Sequence, residues 1–110
     1  MQAVSKKELS KRYDNVGSFQ EDPIRVQKHG KWFHIRLDGP PAYQARYDNV
    51  GPFQEGLAGV QKGSEWFHIR PDGKPAYEAR YDCVGSFQKG QALAQKDGEW
   101  FHIRPDGSRV

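Results

Sequence analysis

The sequence predicts an all-β fold of three tandem 34-residue antiparallel β-hairpin repeats. Three observations carry that expectation. One frame, RYD-x-VG-x-FQ followed by QK-x-x-x-WFHIR-x-DG, recurs at a step of 34 residues. A glycine-bearing two-residue loop sits at the same place in every copy. Apolar residues on either side of that loop alternate with a period of two. The copies span residues 12–45, 46–79 and 80–110. The first two agree at 23 of 34 places and the last two at 20 of 31, so divergence has left the frame intact. Residues 1–11 stand outside it as a basic N-terminal tail or cap.

A period of 34 also suits helical repeats, so local chemistry has to decide. The loops are Lys28-His29-Gly30-Lys31, Lys62-Gly63-Ser64-Glu65 and Lys96-Asp97-Gly98-Glu99. Glycine takes the positive φ that type I′ and II′ hairpin turns demand. Counting outward in the second copy sets Gln61 opposite Trp66, Val60 opposite Phe67, Gly59 opposite His68, Ala58 opposite Ile69 and Leu57 opposite Arg70. Ala58, Val60, Phe67 and Ile69 then share one face, as do Ile24, Val26, Phe33 and Ile35, and Ala92, Ala94, Phe101 and Ile103. Every one is apolar, and a slip of one residue would turn them all outward. That face is the predicted core.

The hairpins end at Pro71-Asp72-Gly73 and Pro105-Asp106-Gly107, with Leu37 in place of proline in the first copy. Proline and glycine suit successive places of a type I turn with a left-handed exit. Each RYD-x-VG-x-F connector reads as a loop with a short strand or single turn. Its Tyr, Val and Phe are expected to cover a hairpin edge or an end of the core. Asp14, Asp48 and Asp82 are read as turn caps through their own backbone amides. Arg12, Arg46 and Arg80 are read as clamps on a carboxylate of the adjacent repeat. No repeat can bury its apolar face alone, so neighbours must complete the core. The units either stack as a short open solenoid or close with pseudo-three-fold symmetry.

Composition narrows the function. Leu, Ile, Val and Phe supply only 21 of 110 residues, too few for a deep enzyme pocket. No apolar run approaches ~18 residues, so no membrane helix is expected. The net charge of +3 resides in residues 1–12, and the repeats are balanced, so a nucleic-acid partner is not expected. Cys83 is alone and no export signal opens the chain, which favours a reducing, cytoplasmic setting. No nucleophile–base pair repeats, and no glycine-rich phosphate loop is present. The expectation is a non-enzymatic protein without a cofactor.

At the second copy, Arg46-Tyr47-Asp48-Asn49-Val50-Gly51-Pro52-Phe53-Gln54-Glu55-Gly56-Leu57-Ala58-Gly59-Val60, followed by Glu65-Trp66 and Ile69, resembles the bacterial WG repeat. The resemblance covers residues 12–110. It departs at the name-giving dipeptide, because Trp32, Trp66 and Trp100 precede Phe33, Phe67 and Phe101. It implies a β-hairpin repeat that mediates binding, and it carries over no catalytic residue. Gly30-Lys31-Trp32-Phe33-His34-Ile35 with Asp38-Gly39 also resembles the core of choline-binding cell-wall repeats, where aromatic cages hold a quaternary ammonium.

The face opposite the core carries Trp32, His34 and Arg36, then Trp66, His68 and Arg70, then Trp100, His102 and Arg104. Opposite the histidines stand Arg25, Gly59 and Leu93. A tightly packed layer does not readily accept Arg, Gly and Leu at one place, so this face is expected to be at least partly open. Trp and Arg are hot-spot residues. These nine residues are therefore the candidate surface for a protein partner or for self-association. The alternative is a small ligand or carbohydrate held in aromatic grooves between repeats. Three equally spaced histidines could meet at a metal in a closed three-fold arrangement. Half-exposed strand histidines bonded to a neighbour are the plainer reading.

Overall fold

The hairpin registers are those the alternation predicts. The computed structural model describes residues 5–110, so the first four residues of the N-terminal segment lie outside the described residues. Strands β1 (Asn15–Val16), β2 (Ile24–Lys28) and β3 (Lys31–Ile35) form the first antiparallel sheet. The second holds β4 (Asn49–Val50), β5 (Ala58–Lys62) and β6 (Glu65–Ile69), and the third β7 (Cys83–Val84), β8 (Ala92–Lys96) and β9 (Glu99–Ile103). Val26 pairs with Phe33, Val60 with Phe67 and Ala94 with Phe101. The predicted core residues are buried, except that Phe101 is half-buried. The Leu57–Arg70 pair does not form. The ladder stops at Ala58–Ile69, and Leu57 instead bridges Gln54 across Glu55-Gly56.

The turns show why these loops suit these residues. His29-Gly30 and Asp97-Gly98 have positive φ at both places, the type I′ pattern. Only the glycine of Gly63-Ser64 is positive, as in type II′. Glu55-Gly56 and Lys89-Gly90 repeat the doubly positive pattern. These are second tight turns that the reading of the connector did not include. Asp14, Asp48 and Asp82 cap, but not through their own amides. Each accepts from the hairpin turn of its own repeat, at His29, Gly63 and Asp97 respectively. The Lys31 ammonium, with the Gly63 amide, holds Asp48 below the usual carboxylate range.

The sheets stack in an open row of 42 × 26 × 19 Å, and they do not close. The connectors join them. Tyr47 pairs through both main-chain bonds with Trp32 of the hairpin before it, while β4 pairs with β5 of the hairpin after it. Tyr81 does the same with Trp66. Arg46 and Arg80 do not clamp carboxylates. Their guanidinium groups lie 3.6 and 3.9 Å from the ring centres of Phe33 and Phe67 in the preceding repeat. Each also ties down three carbonyls, at residues 43–45 and 77–79.

At its other end the stack is covered by a helix, α1 (Lys6–Arg12). Ser5 caps it by accepting from the Glu8 amide, and Lys11 and Arg12 sit in its last turn, where positive charge suits the helix dipole. Leu9 is buried in the core. The Leu9 carbonyl accepts from the Tyr13 amide, the bond that Trp32 supplies to Tyr47.

Gly73 combines a φ of +87° with close approach: a Cβ there would lie 2.4 Å from the Tyr43 Cβ of the preceding repeat. Gly63 has φ +63° but open space around it. Gly73→Ala is expected to destabilise the chain by about 2 kcal/mol or more, and Gly63→Ala by about 1. Urea midpoints compare them, and equal losses would deny the close packing of Tyr43 on this turn.

Candidate functional site

The Trp/His/Arg face is closed at the histidine in the first two repeats. His34 and His68 are 0% exposed, which corrects the expectation of half-exposed histidines, while Trp32 and Trp66 are half-buried and Arg36 and Arg70 exposed. The cover comes from the following connector. The Phe53 ring lies 4.6 Å from the His34 ring, and Phe87 lies 4.5 Å from His68. The face nevertheless accepts Arg, Gly and Leu at one place, because each is compensated differently. Arg25 pairs with Glu21 at 3.1 Å. Gly59 makes room for Val84, whose Cγ2 would lie 3.2 Å from a Cβ there. Leu93 is simply exposed.

Each buried histidine is bonded on both ring nitrogens. Nε2 of His34 lies 2.9 Å from the Gly51 carbonyl, and Nδ1 lies 2.5 Å from the Tyr43 hydroxyl. For His68 the corresponding distances are 2.8 Å to Gly85 and 2.5 Å to Tyr77. A carbonyl only accepts, so Nε2 carries the proton and the tyrosine hydroxyl donates to Nδ1. The neutral ring satisfies both bonds. Burial pushes His34 down to about 4, with the Arg25 charge adding to it and the Gly51 bond opposing it. Burial lowers His68 as well, against the Gly85 bond. Burial raises Tyr43 and Tyr77, so both remain hydroxyl donors. Each histidine is thus a staple between a hairpin and the connector that follows.

Among the described residues the hairpin of the third repeat has no such cover. His102 is exposed, Trp100 is 52% exposed, and Leu93 beside them is 46% exposed. Val110, whose amide bonds to the His102 carbonyl, is 55% exposed. The Trp32 and Trp66 indoles are half-buried, and Arg36, Arg70 and Arg104 are exposed. Of the nine predicted surface residues, Trp100, His102 and Arg104 therefore form one exposed strand face. Leu93, His102, Gly85, Gln88, Lys89 and Gln91 are among the residues that line a groove of about 580 Å³ there. The core side of this hairpin is closed differently. Arg109 lies 4.3 Å from the Phe101 ring centre and pairs with Glu99.

The three histidines sit in successive layers and do not meet. Among the described residues no three His, Cys, Asp or Glu side chains come together as metal ligands, and no helix is long and apolar enough to cross a membrane. Lys89, Gln91 and Val110 were not singled out in the sequence. The tyrosines that bond to the buried histidines were legible by spacing, because Tyr43 and Tyr77 each follow a histidine by nine residues.

The profile of the WG containing repeat matches residues 6–32, 39–66 and 69–100. Each of the last two matches runs from the turn after one hairpin, through the connector, to the tryptophan of the next. No curated protein and no solved structure matches the chain. The WG repeat is not a known enzyme family. With three matches spread over most of its length, the chain belongs to the WG-containing repeat family.

Proposed function

We propose that this chain is a non-enzymatic protein-binding module whose contact surface is the exposed strand face of the third repeat. A single observation carries the reading. Among the described residues the same face is sealed twice by a Tyr-Asp-x-Val-Gly-x-Phe connector, and it is exposed at Trp100 and His102. The two sealed junctions describe the chemistry of a partner. It is an extended strand that offers main-chain bonds to Trp100, a carbonyl to His102 Nε2 and an aromatic ring to the imidazole face. Strand addition of this kind draws affinity from main-chain bonds and specificity from alternate side chains.

A synthetic peptide with the sequence of residues 43–54 tests the reading, because it contains the segment that seals the first junction. Added to isotopically labelled protein, it is expected to shift the resonances of Leu93, Trp100 and His102 and to leave those of Trp32 and His34 in place. A peptide with alanine for its phenylalanine is expected to bind at least tenfold more weakly, given about 1.5–3 kcal/mol for burying a phenylalanine ring. Unchanged spectra at millimolar peptide would refute the reading.

A further inference from the structure

We propose that a groove on the second hairpin, lined by Arg46, Tyr47 and Arg80, is a binding site for an oxyanion, a carboxylate or a phosphate group. The site is separate from the strand face of the third repeat and does not rest on the reading of that face. The groove has a volume of about 410 Å³, and Lys62, Glu65 and Gly73 also line it. Arg46, Lys62 and Arg80 are its cations, and Glu65 is its one anion. The three ion pairs among the described residues involve none of these four side chains. The contrast with the third repeat is direct. There Glu99, the counterpart of Glu65, pairs with Arg109, the arginine on the Phe101 ring.

Both guanidinium groups are held in place before any ligand arrives. Each is stacked on a phenylalanine ring, and its Nη1 atom is spent on three carbonyls. Nε and Nη2 have no hydrogen-bond partner among the described residues, and Arg46 is exposed and Arg80 half-buried. A planar fork fixed in this way loses little freedom on meeting a carboxylate or a phosphate.

Tyr47 is the independent sign of a polar guest. It is 5% exposed, so it is almost wholly buried, and it lines the groove. Its counterpart Tyr81 donates from its hydroxyl to the Gly107 carbonyl at 2.7 Å. Gly73, the counterpart of Gly107, is at hand in the groove, yet the Tyr47 hydroxyl has no partner among the described residues. Burial raises Tyr47, and the nearby Arg80 charge opposes the rise, so this hydroxyl is a neutral donor beside a cation. An unpaired buried hydroxyl is costly, and an anionic oxygen would satisfy it and the free arginine nitrogens together. Glu65 opposes such a guest and limits its affinity.

Titration of the isotopically labelled full chain with sodium phosphate and, separately, sodium acetate tests the site, with ionic strength held constant by chloride. The Nε–Hε resonances of Arg46 and Arg80 are expected to shift saturably at millimolar anion, and those of Arg36 and Arg70 to stay in place. Tyr47→Phe removes a hydroxyl that bonds to nothing else described, so it is expected to keep the urea midpoint and to weaken anion binding about fivefold, as for one lost hydrogen bond. Glu65→Gln, at an exposed site, is expected to tighten binding about twofold or more by removing a like charge. Tighter binding of phosphate or of acetate upholds the site and names the group it takes. Shifts no larger than those in chloride alone would overturn the proposal. So would a folded Tyr47→Phe chain that binds as tightly as the wild type, or a Glu65→Gln chain that binds no more tightly.

Discussion

His68→Ala is expected to destabilise the chain by about 2–4 kcal/mol, because it orphans a buried tyrosine hydroxyl at about 1–3 kcal/mol, strips a glycine carbonyl of its donor and empties the space of a buried ring. Those groups are Tyr77 Oη and the Gly85 carbonyl. The Phe87 ring also loses the imidazole it packs against. His102→Ala, at the same register position one repeat later, is expected to change stability by less than about 0.5 kcal/mol, as for an ordinary surface site. Urea unfolding of the two variants tests the contrast. Equal losses would mean that connectors do not seal the hairpins before them. Because His68 lies at the junction of the second and third repeats, its loss is also expected to broaden the transition. In a linear array, a weakened interface uncouples the units on either side.

Acid is expected to act at the same staples. The folded state holds His34 at about 4, below the ordinary value of 6.5, and holds His68 lower than ordinary as well. Between those limits the unfolded chain binds a proton at His34 and the folded chain does not. Stability therefore rises with pH through this window, is complete above about 6.5, and is lost as pH falls toward 4. For His34 alone the full shift corresponds to about 3 kcal/mol, and His68 adds in the same direction. Urea midpoints measured from pH 7.5 to pH 4.5 are expected to fall steadily below pH 6.5. Tyr43→Phe is expected to weaken the chain at neutral pH, because it removes the donor to His34 Nδ1. It would also leave that nitrogen free to take a proton, and so raise the His34 titration. A pH-independent midpoint would show that the imidazoles are not buried neutral.

The hairpins were legible because their signals are local. A two-residue loop fixes the register, and alternation then decides which of Val60 and Gln61, or Phe67 and His68, points inward. What lies over the second face was not legible by the same logic. Its cover is supplied by residues 17 to 19 positions downstream, Gly51 and Phe53 for His34, Gly85 and Phe87 for His68. No periodicity within a hairpin reports on them. The spread of Arg25, Gly59 and Leu93 suggested exposure, yet Gly59 is small because Val84 presses on it. The helix was readable in principle. Ser5 followed by Glu8 is the pattern of an N-terminal capping box, set in a segment that stood out mainly by its charge. The arginines were expected to seek carboxylates, but in this stack the nearer partners are the Phe33 and Phe67 rings and a run of bent carbonyls.

Amide hydrogen exchange, followed residue by residue in dilute solution, tests most directly whether each connector closes the hairpin before it. The Trp32 and Trp66 amides donate to Tyr47 and Tyr81, and both are expected to exchange slowly, with the stability of the stack. The Trp100 amide has no main-chain partner among the described residues, and in this chain it is expected to exchange faster by orders of magnitude. Trp32 and Trp66 amides as labile as that of Trp100 would contradict the account.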